Sequence, residues 1–392
     1  VEGVRLGTAA TGIRYRNRDD LVLLEISDSA AVAGVFTRNA FRAAPVQVAI
    51  NNLAAASPRY LLINSGNANA GTGQAGYENC LASTRLLAEA AGCYVEQVLP
   101  FSTGVIGEPL PLAPFTTGIP TAMQALSTNN WLTAARAIMT TDTVPKLASK
   151  QVRIDGKLVT FTGMAKGAGM IRPDMATMLA FIATDAGVSS SALQAMLASA
   201  ADQSFNRITV DGDTSTNDAC ILIATGNGEL AVSDTDRQVM QSLQSEINAV
   251  CTELAQAVIR DAEGITKFMT IDVQEGASEE ECLQVAYTVA HSPLVKTAFF
   301  ASDPNWGRIL AAVGRAGVAD LDVDAVSIYL DTTCIVSAGG RAPDYTEQQG
   351  QQVMQQDEIT VTIKLGRGDA HASVWTSDLS HDYVRINAEY RT

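Results

Sequence analysis

The chain has 392 residues, 47% hydrophobic, 18% charged and 6% aromatic, enough apolar material for a large core and for two subdomains. Its 27 basic side chains stand against 42 acidic ones, a net charge of −15. So acidic a chain, with no dense run of Lys or Arg, is not built to hold nucleic acid, and the charge reads as an aid to solubility.

Taken in order, residues 20–27 and 59–64 read as strands, and an apolar period of 3.6 marks helices at 78–92 and 129–139. Residues 150–162 read as two β-rich arms joined by Asp155-Gly156, a tight-hairpin signal. Met178 to Ala183 is a short continuous apolar run that fits a buried strand. A helix with Ser at its N-cap follows at 190–201, then a buried strand at 219–224. The longest helical pattern is 234–262. Residues 268–273 alternate as a strand, and 278–290 and 305–315 read as helices. From 326 the tail mixes short strands with turns, among them Ser337-Ala-Gly-Gly340 and Gly366-Arg-Gly368. Strands and helices interleave in an α/β pattern without a regular βαβ period. No Walker-type loop occurs, so a nucleotide-binding domain is not expected.

No run of about 18 apolar residues occurs, so no transmembrane helix is expected. The opening Val1-Glu-Gly-Val-Arg-Leu-Gly lacks the basic flank and apolar stretch of a signal peptide. Cys80, Cys93, Cys220, Cys251, Cys282 and Cys334 include no Cys-x-x-Cys pair, which reads as reduced thiols in the cytoplasm.

The three histidines, His291, His371 and His381, lie in the last third of the chain. No Gly-x-Ser-x-Gly elbow accompanies them and no metal-ligand spacing includes them, so they read as surface or hydrogen-bonded side chains. Asp211-Gly-Asp-Thr-Ser-Thr-Asn217-Asp218 looks like a calcium loop but lacks the spacing and terminal Glu of an EF-hand, and reads as a structural turn. A chemistry that needs no histidine is available at Ala176-Thr177. Breaking that bond gives Thr177 a free α-amine beside its own hydroxyl, so one residue supplies both base and nucleophile. An Ala-Thr pair alone carries little information; its surroundings carry more.

Those surroundings are Lys166-Gly-Ala-Gly before the junction and Met178-Leu-Ala-Phe-Ile-Ala-Thr184-Asp185 after it. In the same order along the chain stand Ala33-Gly-Val-Phe-Thr37, Asn64-Ser-Gly-Asn-Ala-Asn69-Ala-Gly71, Ser102-Thr-Gly-Val-Ile-Gly107 and Met139-Thr-Thr-Asp-Thr143. Then come Val210 to Asp218, Glu263-Gly-Ile-Thr-Lys-Phe268, Ser302-Asp-Pro-Asn-Trp-Gly-Arg308 and the closing Asp382 to Thr392. Together they resemble the glutamate N-acetyltransferase (ornithine acetyltransferase) family of arginine biosynthesis, the ArgJ type, over the whole chain.

The resemblance implies an α/β sandwich of mixed sheets packed between helices. In it a self-cleaved α chain, 1–176, and a β chain, 177–392, stay intertwined in one core, with an α2β2 assembly in the cytoplasm. It implies Thr177 as nucleophile, Thr103 and Gly104 as the oxyanion donors, and substrate contacts at Thr140, Lys166, Thr177, Glu263, Asn387 and Thr392. No cofactor or metal is implied; the partners are N2-acetyl-L-ornithine and L-glutamate, and in some members acetyl-CoA. An alternative is an N-terminal-threonine amidohydrolase or aminopeptidase of related fold, which passes the acyl group to water; the products, acetylglutamate or acetate, separate the two. A silent structural or binding protein fits poorly with intact Thr177, Thr103, Gly104 and Lys166.

Overall fold

The computed structural model describes residues 1–172 and 178–390. The chain divides into two compact units, one built from 1–206 and 213–258, the other from 207–212 and 259–390.

The first unit holds two sheets. One has four strands in the order Val4–Ala9, Leu21–Ile26, Tyr60–Asn67, Val98–Val105. The other has five, in the order Ala31–Phe36, Ala219–Ala224, Leu179–Thr184, Lys157–Lys166, Lys146–Ile154. The sheets pack face to face through one apolar cluster that takes Leu24, Leu61, Ile63 and Phe101 from the first and Met164, Phe181, Ile221 and Ile223 from the second. Phe101 and Phe181 meet edge to face, ring centroids 5.1 Å apart. Helices Gly73–Ala91 and Ala113–Gln124 cover the outer face of the four-stranded sheet. Helix Ser190–Gln203 lies against the outer strands of the other sheet, and Leu254 of helix Arg237–Arg260 reaches to within 3.0 Å of the position a Cβ on Gly163 would take. The result is helix, sheet, sheet, helix. Ala219–Ala224 and Leu179–Thr184 are buried at every position, which is why they read as unbroken apolar runs.

The second unit is a seven-stranded sheet with Phe268–Gly276 between Glu358–Lys364 and Ala370–Ser377. Helices Glu279–Ala290, Pro293–Phe300 and Trp306–Gly314 bury their apolar stripes in its core.

The expected elements are largely in place. The hairpin turns at Asp155 (φ 50°) and Gly156 (φ 75°), the two left-handed residues that a tight turn of this kind demands. Helices Ala44–Ala55, Ala113–Gln124 and Pro293–Phe300 and strands Val4–Ala9, Ala31–Phe36 and Val98–Val105 were not anticipated, and three further details differ. The helix after residue 188 is capped by Ser189, whose hydroxyl accepts from the Ala192 N–H, and starts at Ser190. The long helix stops at Arg260 rather than 262, which frees Glu263 from the helix end. The tail holds two helices besides its strands, Glu347–Met354 and His381–Glu389. Both are short and polar, with few apolar residues to announce them.

All six cysteines carry free thiols. Among the described residues no helix is long and apolar enough to cross a membrane, and no three His, Cys, Asp or Glu side chains converge as a metal site would need.

Candidate active site

In the first unit three strands bring polar residues to the beginning of strand Leu179–Thr184. Lys166, the last residue of strand Lys157–Lys166, pairs with Leu179 from one side. Ala219, the first residue of strand Ala219–Ala224, pairs with Leu179 from the other. Lys166 and Asp218 therefore flank the segment that begins just after Thr177.

The Lys166 side chain is 5% exposed, and an ammonium so deeply buried must be paired. Its Nζ donates to Thr140 Oγ1 at 2.7 Å and to Thr103 Oγ1 at 3.3 Å, and stands 3.7 Å from Asp142 Oδ2. Of the two adjacent threonines, Thr140 is the one bonded to Lys166. Thr103 accepts from the lysine, and among the described residues no acceptor takes its own O–H. That proton can be turned toward an arriving oxyanion.

Gly104 follows with φ 133°, a conformation that side chains rarely allow. A Cβ there would lie 2.3 Å from the Gly66 carbonyl carbon and 2.6 Å from the Asn67 nitrogen. Only glycine lets the two strands approach so closely, at a point where the ladder also slips register around Asn67. The neighbouring motif braces this spot. Ser102 donates to Asn64 Oδ1 at 2.6 Å, and Asn64 Nδ2 donates to the Asn67 carbonyl at 2.9 Å.

Beneath Lys166 lies Asp142, its side chain wholly buried. It accepts from Lys146 Nζ at 2.5 Å, from the Gly167 N–H at 2.7 Å and from the Thr140 N–H at 2.9 Å. Burial works against its charge, but Lys166 and Lys146, with these bonds, outweigh it and hold the carboxyl well below the ordinary carboxylate range. Two buried cations thus share one buried anion.

Asp218 is the opposite case. Burial pushes its carboxyl well above the ordinary range, against the Met178 N–H, the nearby Ser215 hydroxyl and Lys166. Its Oδ1 accepts from the Met178 N–H at 3.0 Å, and among the described residues its buried Oδ2 makes no hydrogen bond of good geometry.

In the second unit Glu263 accepts from Asn387 Nδ2 at 2.8 Å. The two segments that carry this pair are tied together. Ser380 Oγ donates to the Gly264 carbonyl at 2.6 Å and accepts from the Tyr383 N–H, capping helix His381–Glu389. Asp378 accepts from the N–H groups of Thr266 and Lys267 at 2.8 and 3.0 Å. Lys296, whose ammonium burial pulls down to about 8 against Asp378 and Asp211, fixes the strand before Asp378 through Thr376 Oγ1 and the Ser377 carbonyl.

The sequence-derived site residues thus fall into two groups. Thr103, Gly104, Thr140 and Lys166 cluster in the first unit, and Glu263 and Asn387 pair in the second. Ala176, Thr177 and Thr392 lie outside the described residues. Sequence reasoning missed Asp142, Lys146, Asn217 and Asp218. Asp142, Asn217 and Asp218 stand inside motifs already singled out, the one local signal they offer, whereas Lys146 lies outside them.

The model of the ArgJ family matches residues 5–392. The chain belongs to the ArgJ family. Among its relatives in that family, the arginine biosynthesis bifunctional protein ArgJ of Pseudomonas fluorescens (strain Pf0-1) is 56% identical over 393 residues, across 100% of this chain and 97% of that one. The protein of the same name from Methylococcus capsulatus is 57% identical over 392 residues, across 100% and 96%. The crystal structure of the ArgJ protein from Bacillus halodurans matches with a TM-score of 0.50 and 32% identity, covering 53% of this chain and 96% of that one. ArgJ membership accounts for the ordered run of motifs from Ala33 to the final residues.

Proposed function

We propose that this ArgJ-family chain transfers acetyl from N2-acetyl-L-ornithine to L-glutamate through an acetyl ester on Thr177, after cleaving its own Ala176–Thr177 bond. The observation that carries this reading is the group of Thr103, Gly104, Thr140 and the buried Lys166, gathered in an ArgJ-family chain beside the strand that begins just after Thr177. The Thr177 α-amine takes the hydroxyl proton as Oγ attacks the acetyl carbonyl. The C–N bond breaks, ornithine leaves as the amine with that proton, and an ester remains. The amine of glutamate then attacks the ester and regenerates the hydroxyl. Thr103 Oγ–H and the Gly104 N–H stabilise the oxyanion at each tetrahedral stage. Lys166 Nζ orients Thr103 and favours a neutral Thr177 amine by like-charge repulsion.

The five-stranded sheet supports cleavage without separation, because two neighbouring strands from after 177 lie between strands from before 176 on either side. The proposal includes the substrate contacts at Thr140, Lys166, Glu263, Asn387 and Thr392, an α2β2 assembly and a cytoplasmic location. It extends to acetyl-CoA as a second donor to the same acetyl-enzyme, the relatives' names describing a bifunctional protein. Steady-state assays with each donor, following acetylglutamate against free acetate, test the reaction. Acetate as the main product would make the chain a hydrolase.

Two substitutions probe the roles. Thr103→Ala is expected to lower kcat about 100-fold or more while KM stays near wild type, since an oxyanion donor acts on charge that develops in the transition state. A raised KM at unchanged kcat would make Thr103 a ground-state binder instead. Glu263→Gln is expected to slow the acetylornithine half-reaction and to spare the glutamate one. Ornithine brings a cation to the carboxylate, whereas glutamate brings an anion. A bond to a charged group is worth about 1.5–3 kcal/mol, roughly 10- to 150-fold in kcat/KM. Equal losses in both half-reactions would remove the discriminating role from Glu263.

A further inference from the structure

Asn217 and Asp218 end the polar run that the sequence offers as a structural turn, and the mechanism above gives them nothing to do. Both are almost wholly buried, Asn217 7% and Asp218 1% exposed. Asn217 Nδ2 donates to the Ser102 carbonyl at 2.9 Å and to the Ala68 carbonyl at 2.7 Å. The Ser102 carbonyl belongs to the peptide that joins Ser102 to Thr103. Asp218 Oδ1 accepts from the Met178 N–H, which belongs to the peptide that joins Thr177 to Met178.

The backbone beside them is fixed as well. The Ala219 N–H donates to the Met178 carbonyl at 3.2 Å, and the Thr37 N–H to the Asp218 carbonyl at 3.0 Å. Thr37 Oγ1 donates to the Ser215 carbonyl at 2.7 Å, and the Asn217 N–H to Ser215 Oγ at 3.0 Å. Two consecutive residues on a braced segment therefore hold two chain segments that are remote in sequence, each by the peptide next to a residue with a proposed chemical role.

We propose that Asn217 and Asp218 are positioning residues that set the nucleophile against its oxyanion donor, Asn217 gripping the peptide ahead of Thr103 and Asp218 gripping the Thr177–Met178 peptide. The proposal rests on the reading of Thr177 as nucleophile. An uncharged Asp218 suits the task. Its burial favours the protonated acid, and a wholly buried carboxyl costs less uncharged than as an anion. What the grip requires is an uncharged acceptor for the Met178 N–H.

The test uses the full-length processed enzyme and two readouts, the amplitude of the acetyl-enzyme burst, which counts competent sites, and the turnover per competent site. Asp218→Asn keeps an uncharged acceptor and is expected to stay within about 3-fold of wild type per site. Asp218→Leu fills the volume but takes away the acceptor. It is expected to lose on the order of 100-fold in kcat per site at near-wild-type KM, the scale of a misplacement of about 1 Å. Asn217→Ala is expected to lose a comparable factor.

A residue that only supports the fold would lower the burst amplitude and leave turnover per site unchanged, and that result overturns the proposal. So does an Asp218→Asn enzyme as impaired as Asp218→Leu, which also decides the matter should the leucine variant fail to fold. Thr177→Ala belongs in the same series. If it retains transfer, the nucleophile reading fails on its own account, whatever the clamp variants do.

Discussion

Thr177→Ala is expected to run as a single polypeptide under denaturing conditions and to give no acetyl transfer above the solution background. The substitution removes one hydroxyl. Without it the Ala176–Thr177 bond cannot be attacked from within, so no free α-amine forms, and no ester can form either. A single change thus removes nucleophile and base together, the largest effect this site can show. The fold is expected to survive, because the strand that follows, Leu179–Thr184, is held by its own ladders on both sides. Thr177→Ser keeps the hydroxyl and is expected to cleave and transfer in part. N-terminal sequencing, with an acetylglutamate assay, checks both points. Wild-type transfer by the alanine variant would remove Thr177 from the mechanism, and a wild type found only as one uncut chain while active would remove the cleavage.

Asp142→Asn is expected to destabilise the protein by about 3–5 kcal/mol, read as a lower denaturation midpoint in urea. The side chains of Lys146 and Lys166 are 0% and 5% exposed and share this one carboxylate. Asparagine matches its shape and keeps an acceptor, but removes the negative charge that both buried lysines face. The pH dependence follows from the depressed carboxyl. A group whose folded-state value lies below its unfolded one stabilises fully above the unfolded value and loses that contribution as pH falls toward the folded one. For Asp142 the loss begins as pH drops past the ordinary aspartate value of 3.8. The gap between wild type and variant is therefore widest near neutrality and narrows in acid. An unchanged midpoint near pH 7 would mean that the two lysines do not depend on Asp142. Because Lys166 also orients Thr103 and Thr140, turnover per folded molecule is expected to fall as well.

The sequence made some parts of this molecule plain and hid others, for identifiable reasons. Strands Leu179–Thr184 and Ala219–Ala224 were legible because burial on both faces leaves only apolar residues to read. The hairpin at Asp155-Gly156 was legible because its turn admits few residue types. Strand Val98–Val105 was not, because Ser102, Thr103 and Gly104, the residues that matter chemically, interrupt its apolar run. The local rule fails where the site is. Asp142 stayed hidden for a different reason. Its meaning lies in Lys166, 24 positions further along, and no window of local sequence joins them. Glu263 follows directly on the helix expected over 234–262, whereas the helix stops at Arg260. Asn217 and Asp218 looked like turn residues because their partners, Ser102 and Met178, are set by tertiary structure.

The interleaved order of the five-stranded sheet also gives the proposed cleavage a consequence. Strand Leu179–Thr184 runs between Lys157–Lys166 and Ala219–Ala224, and Ala31–Phe36 lies beyond the latter. Such a sheet assembles while the chain is whole, when every strand is tethered to its neighbours. Once the bond before Thr177 is cut, the same sheet joins two separate molecules. Unfolding then releases them into solution, and recovery becomes a bimolecular encounter that slows with dilution. The mature enzyme would keep its shape by never coming apart, with persistence in place of reversibility.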